Sequence, residues 1–164
     1  MITAGKHTVV PPIDHYNGII VTIGNYCSIA SGLKIYSGNH PCIEYPEVIS
    51  TYPFKEHGIE DYPPSKMLGS VTIGNDVWIA TDVRILEGVN IENGAIVGAG
   101  CLVTKNVPSY AFVAGNPAEI KRFRFTEDQI RKLLDIKWWL WDDEKIKESM
   151  PYMKDINKFI EKYS

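Results

Sequence analysis

The side chains here that can move a proton, attack a carbonyl or hold a metal are four histidines (His7, His15, His40, His57) and three cysteines (Cys27, Cys42, Cys101). No two histidines stand at a spacing typical of zinc ligation, and no Cys-x-x-Cys pair occurs, so metal and dithiol chemistry are not expected. No Gly-rich phosphate loop ending in Lys-Ser or Lys-Thr is present either. His40 differs from the other histidines. It closes a regular stretch of sequence and opens a long irregular one, so rigid backbone would aim its imidazole while leaving it open to substrate. With an ordinary pKa near ~6.5, such a group accepts a proton at neutral pH. A surface histidine without a role is the plainer reading of the same position. His7, His15 and His57 read as solvent-facing or capping groups. Cys42, two residues after His40, is either a nucleophile or an exposed loop thiol, and the second reading is preferred.

The regular stretch is a six-residue register. Isoleucine or valine recurs at Ile73, Ile79, Ile85, Ile91, Val97 and Val103, and earlier at Ile23, Ile29 and Ile35. Four positions after each anchor comes a second small or apolar residue: Val77, Val83, Val89, Ala95, Cys101 and Val107, with Cys27 and Leu33 in the shorter block. A helix repeats at ~3.6 and a strand at 2, so a sustained six matches neither. It fits a coil in which each hexad forms one short side of a parallel β-helix. At about 18 residues per turn, Ile73 stacks on Ile91, Ile79 on Val97 and Ile85 on Val103. Cys27 and Cys101 then point inward as small apolar fillers. Corners fall at Gly74-Asn75-Asp76, Glu87-Gly88, Glu92-Asn93-Gly94 and Gly98-Ala99-Gly100, residues suited to turns and positive φ.

Residues 1–16 are expected to be irregular because of Pro11 and Pro12. The coil is expected over 17–118, with Asn17–Thr22 and Met67–Thr72 as weak hexads and 111–118 as the exit. Ile35 and Ile73 are 38 positions apart, which is not a multiple of six. The intervening loop, 41–66, carries five prolines, which argues against a regular helix or central strand. Loops of that length in a compact domain are usually functional. A helical extension is expected over 126–162. It opens with the capping box Thr126-Glu127-Asp128-Gln129. Ile130, Leu133, Leu134 and Trp138 follow on one face, and a last amphipathic stretch bears Ile156, Phe159 and Ile160. Trp138, Trp139 and Trp141 read as packing residues guarding the coil.

The whole chain, 1–164, reads as one domain. A formal charge of −3 gives no general attraction to nucleic acid or anionic membrane. No apolar run approaches the ~20 residues of a membrane span. The stretch Met1–His7 lacks the apolar core of a secretory signal, so a cytoplasmic protein is expected.

Two sets of three motifs carry a resemblance. Ile73-Gly74-Asn75-Asp76-Val77-Trp78-Ile79-Ala80, Val97-Gly98-Ala99-Gly100 and Val113-Ala114-Gly115-Asn116-Pro117-Ala118 resemble the hexapeptide-repeat acyltransferases. Ser37-Gly38-Asn39-His40, Ser50-Thr51-Tyr52-Pro53-Phe54 and Asp135-Ile136-Lys137-Trp138-Trp139 are similar to the xenobiotic acetyltransferase branch. That branch includes chloramphenicol and streptogramin acetyltransferases and related enzymes that acetylate sugars. The match covers roughly residues 20–141.

The resemblance implies a mainly β protein: a left-handed parallel β-helix with a long inserted loop and C-terminal α-helices. It also implies a homotrimer with sites between subunits and acetyl-CoA as donor; that no metal is required is expected from the histidine spacing alone. Carried over, His40 is the general base. Trp78, outward-facing as the sixth residue of its hexad, lies beside the pantetheine arm. Thr81, Ala99, Thr104, Lys105 and Arg122 match coenzyme A contacts, the first two mostly through backbone and the two cations toward phosphates. Glu119 stands where a basic residue is expected, and Ala80 replaces a frequent glycine. Asn39, Tyr52 and Phe54 are the acceptor-site candidates, the two aromatics serving as a stacking face or as loop anchors.

The stretch Pro41–Ile49 is longer than expected for the antibiotic enzymes. The resulting expectation is direct, acetyl-CoA-dependent O-acetylation of a carbohydrate or polysaccharide precursor. An antibiotic acceptor is the alternative, and a noncatalytic β-helix scaffold is the alternative of another class.

Overall fold

A computed structural model describes residues 1–15, 18–37, 40–65 and 69–164, with the backbone alone at His15 and Cys42. Asn17, Gly38, Asn39 and Met67, named above, lie outside the described residues. The strands are short because each side of the coil is only a hexad long. They are β1 (Ile2–Ala4), β2 (Asp14–His15), β3 (Val21–Ile23), β4 (Ser28–Ile29) and β5 (Lys34–Tyr36) before the long loop. After it come β6 (Val71–Ile73), β7 (Trp78–Ile79), β8 (Arg84–Leu86), β9 (Asn90–Ile91), β10 (Ile96–Val97), β11 (Leu102–Val103), β12 (Ala111–Ala114) and β13 (Glu119–Phe123).

They form three sheets, ordered β1-β3-β6-β9, β4-β7-β10-β12-β13 and β2-β5-β8-β11. Every pairing is parallel except β12 with β13. The chain visits the first, second and third sheet in rotation and returns to the first. The registers are the expected ones: Ile73 opposite Ile91, Ile79 opposite Val97, Ile85 opposite Val103. Across the loop the stack continues unbroken, with Ile23, Ile29 and Ile35 opposite Ile73, Ile79 and Ile85. The loop thus leaves from the third sheet and returns to the first without disturbing the ladder. Both inward positions of each hexad are buried in one apolar core. Each such Val or Ile contributes roughly 1.5–3 kcal/mol of burial.

Two expectations need correction. Residues 1–15 are not irregular throughout: β1 and β2, with a bridge from Val9 to Ser28, form a first rung under the coil. Their offsets are 19 and 20 residues (Ile2 opposite Val21, Asp14 opposite Lys34), so the 18-residue rhythm is lost even though the ladder is kept. The long loop does hold a one-turn helix, α1 (Pro41–Glu44). Pro41 takes its first position, where the missing N–H has no helical partner to lose. As expected for a coil over 17–118, 111–114 is still coil, paired in parallel with β10, and the chain then turns into antiparallel β13.

Beyond β13 lie α2 (Glu127–Ile136), a 3-10 turn at Trp138–Leu140, α3 (Asp143–Ser149) and α4 (Ile156–Tyr163). The capping box is present: Gln129 N–H donates to Thr126 Oγ1 (3.4 Å) and Thr126 N–H to Gln129 Oε1 (3.1 Å). The helices gather Leu133, Trp139 and Phe159 around Tyr110, with Trp138 and Trp141 partly buried beside them. This second core lies along one corner of the coil, between the first and second sheets. There Asn25 Nδ2 donates to Trp139 O (3.1 Å) and Lys6 Nζ to Trp141 O. No helix among the described residues is long and apolar enough to cross a membrane.

Candidate active site

His40 sits at the end of the third-sheet strand's onward path, immediately before α1, in extended backbone (φ −78°, ψ 155°). Its imidazole is exposed, and Nδ1 lies 2.5 Å from the carbonyl oxygen of Thr51. A carbonyl only accepts, so Nδ1 carries a proton, and in the neutral ring Nε2 is the nitrogen that keeps its lone pair. The contact therefore selects the Nδ1–H tautomer of the neutral ring.

The segment supplying that carbonyl is held within the loop. Tyr62 Oη donates to Ser50 O (2.6 Å), and the Tyr52 N–H to Ser50 Oγ (3.1 Å). Tyr52 and Phe54 meet edge to face (4.9 Å between centroids). Tyr52 also stacks on His57 (5.0 Å, 29°), and Phe54 meets Tyr62 at 4.9 Å. The two candidate aromatics thus build a small cluster inside the loop, and about half of Tyr52 stays open to solvent. Farther along, Glu56 accepts the Ser65 N–H (2.7 Å), and that bond holds its carboxyl below the usual range.

The donor-side candidates lie elsewhere on the coil. Trp78, on β7, projects outward from the second sheet, half exposed, between Ser28 and Ile96 on the neighbouring rungs. Thr81 and Ala99 follow at the corner between the second and third sheets, both exposed; Thr81 O accepts from Gly100 N–H (2.9 Å). Thr104 and Lys105 are at the corner between the third and first sheets, the edge from which the loop departs. Arg122, on β13, lies over the Phe112 ring (5.7 Å). Glu119 beside it pairs with Lys121 (3.1 Å), so a cation does stand next to the acidic replacement. Within one chain, His40 follows the third-sheet strand β5, while Trp78 projects from the second sheet.

The other described reactive side chains are engaged elsewhere, and those of Cys42 and His15 lie outside the description. Cys27 and Cys101 are buried, and burial pushes the Cys27 thiol up, away from the nucleophilic thiolate. His7 pairs with Asp143 (2.8 Å) and stacks on Tyr26, tying the first rung to α3. That bond from His7 lowers the Asp143 carboxyl. Among the described residues no three His, Cys, Asp or Glu side chains gather as a metal site. Sequence reasoning gave no role to Thr51 or Tyr62. Nothing in the sequence marks the first, because its contribution is a backbone carbonyl. It also passed over Arg124. That side chain pairs with Asp76 (3.0 Å), donates to Gly94 O (2.7 Å) and lies 5.3 Å from the centres of the Tyr110 and Phe125 rings. Burial raises the Asp76 carboxyl, and Arg124 opposes the shift.

Residues 70–105 match the family described as bacterial transferase hexapeptide (six repeats). A chloramphenicol acetyltransferase of Agrobacterium fabrum is 42% identical over 146 residues, 84% of this chain and 68% of that protein. A probable macrolide acetyltransferase of Lysinibacillus sphaericus is 36% identical over 169 residues, 93% of this chain and 90% of its own length. Among solved structures, a hexapeptide-repeat acetyltransferase of Vibrio cholerae in complex with acetyl coenzyme A is 25% identical with a TM-score of 0.57. The likeness covers 76% of this chain and 61% of that one. A maltose O-acetyltransferase of Clostridium difficile is 25% identical with a TM-score of 0.54, over 76% of this chain and 60% of that one. The chain thus spans less than two thirds of both solved neighbours and about two thirds or more of the two curated relatives. Repeats, motif order and identity over nearly the whole chain agree: the protein belongs to the hexapeptide-repeat acyltransferases, in their xenobiotic acetyltransferase branch.

Proposed function

We propose that this protein is an acetyl-CoA-dependent O-acetyltransferase that transfers the acetyl group directly, with His40 as general base. The observation that carries the reading is the Nδ1–H···O bond from the exposed His40 to Thr51, which in the neutral ring leaves Nε2 free to accept a proton. Nε2 takes the proton of an acceptor hydroxyl as its oxygen attacks the thioester carbonyl. The tetrahedral intermediate then collapses with loss of the C–S bond, and the imidazolium returns the proton to the departing thiolate. No acyl-enzyme is needed, in keeping with the burial of Cys27 and Cys101.

The coil is left-handed by likeness to the family, and the functional unit is a homotrimer. In it, His40 of one chain faces the second-sheet surface of its neighbour, bearing Trp78, Thr81 and Ala99. The placement of His40 after the third-sheet strand and of Trp78 on the second sheet supports that arrangement. Trp78 flanks the pantetheine arm, Thr81 and Ala99 border it through backbone, Thr104 lines the same path, and Lys105 and Arg122 meet phosphates. Tyr52 and Phe54 offer the acceptor a ring face, and Asn39 offers a polar contact. A cytoplasmic setting suits a donor made inside the cell.

For the acceptor, the names of the relatives favour an alcohol on an antibiotic-type molecule over the carbohydrate expected from loop length. The carbohydrate stays as the second reading, favoured by the maltose O-acetyltransferase neighbour. The test is thiol release from acetyl-CoA with chloramphenicol, a macrolide, a streptogramin and a panel of mono- and oligosaccharides. His40→Ala should keep the assembly and lower turnover by ~10²–10⁴. No acceptor exceeding background hydrolysis would leave the protein a scaffold, and an unchanged rate in the variant would remove His40 from the chemistry.

A further inference from the structure

We infer that Tyr62 is a positioning residue for the His40 imidazole, acting through two consecutive backbone carbonyls; the inference rests on His40 being the base. A loop histidine is aimed only as well as the group its other nitrogen is tied to. Here that group is the carbonyl of Thr51, an exposed residue in irregular backbone. The carbonyl one residue earlier, Ser50 O, accepts the Tyr62 hydroxyl at 2.6 Å. Peptide planes are rigid, so fixing the Ser50 carbonyl fixes the plane that enters Thr51. Only the φ and ψ of Thr51 then separate the anchored carbonyl from the one that holds His40. The Ser50 hydroxyl, accepting the Tyr52 N–H, braces the same turn from the other side.

Tyr62 is itself anchored. Its ring meets Phe54 edge to face at 4.9 Å, Phe54 meets Tyr52 in the same way, and Tyr52 stacks on His57. The Phe54 carbonyl accepts the His57 and Ile59 N–H groups at 3.0 Å each. The hydroxyl is therefore delivered from a packed cluster twelve residues away in sequence, not from a free side chain. Tyr62 carries no charge to His40. Its effect is orientational: it favours the tautomer with Nδ1 protonated, in which Nε2 is free to accept a proton. Without the bond, the Ser50–Thr51 peptide turns toward water, the Thr51 carbonyl drifts, and the imidazole samples both tautomers.

Tyr62→Phe keeps the ring and its packing and removes only the donor. Two measurements on the full-length protein decide the matter. Nitrogen-15 spectra of the His40 ring should show the Nδ1–H tautomer dominant in the parent and mixed with the Nε2–H form in Tyr62→Phe. The variant's kcat should fall by about 3- to 30-fold, the worth of one orienting hydrogen bond, with KM for acetyl-CoA unchanged. In a His40→Ala background, Tyr62→Phe should add nothing further. Unchanged His40 ring shifts overturn the inference whether or not kcat falls, and so does a full further loss in the His40→Ala background. If His40→Ala alone leaves the rate intact, the base assignment fails, and that result is separate from the tautomer measurement. A global packing defect would show in the melting temperature without selecting a tautomer.

Discussion

At the scale of single residues, position in the register carried more information than residue type. His40 was singled out because the repeat stops there, and the structure places it in the open, tied by one nitrogen. Its partner is a carbonyl, a group every residue has, so no reading of side chains selects Thr51. Gly94 shows the same limit from the other side. Its suitability for a corner was legible, and its φ is +69°. The closer constraint was not: a Cβ there would lie 2.4 Å from Tyr110 Cε1, because Tyr110 stacks over that corner sixteen residues later. Gly94→Ala should therefore destabilise by ~2–4 kcal/mol, combining backbone strain with an overpacked ring. Urea denaturation measures it, and a midpoint equal to the parent's would show that Tyr110 moves aside freely.

At the scale of elements, the corners explain why so few strand residues hold so long a stack. Asn25 N–H donates to Asn75 Oδ1 (2.8 Å), Asn75 N–H to Asn93 Oδ1 (2.9 Å), and Lys6 N–H to Asn25 Oδ1 (2.9 Å). This column of amides joins rung to rung where no ladder runs. The positive φ at these corners falls on the third residue (Tyr26, Asp76, Gly94), not on the glycine or asparagine before it. Gly74 serves close approach instead: a Cβ would meet Asn93 N at 2.8 Å. The extension begins with the capping box that was readable from Thr126 and Gln129. Thr126→Ala should lower stability by about 1 kcal/mol. Amide exchange should quicken first at the start of α2, within residues 127–130. Faster exchange across the coil instead would mean that the cap supports the whole molecule rather than one helix end. The first rung escaped notice because its strands pair at offsets of 19 and 20, and a periodic reading sees only constant offsets.

At the scale of the whole molecule, the loop leaves the corner between the third and first sheets, while Trp78 projects from the second. In the proposed homotrimer the site is shared between two chains. Co-assembly tests this directly. His40→Ala and Trp78→Ala chains, each poorly active alone, should give mixed trimers more active than either parent, because some interfaces then pair an intact His40 with an intact Trp78. Activity equal to the average of the two would place both residues in one chain's site or in none. The sequence alone determined the coil, its stacking partners and its inward residues, because a six-residue period with β-branched anchors has no other way to bury itself. It also determined the helix cap, whose partners lie three residues apart. Tertiary structure decided the tautomer of His40, the bracing by Tyr62, the Arg124 clasp on Asp76 and the placement of the helices along one corner. Each depends on atoms brought together by the loop's path or the coil's rise, distances that no local pattern of residue types encodes.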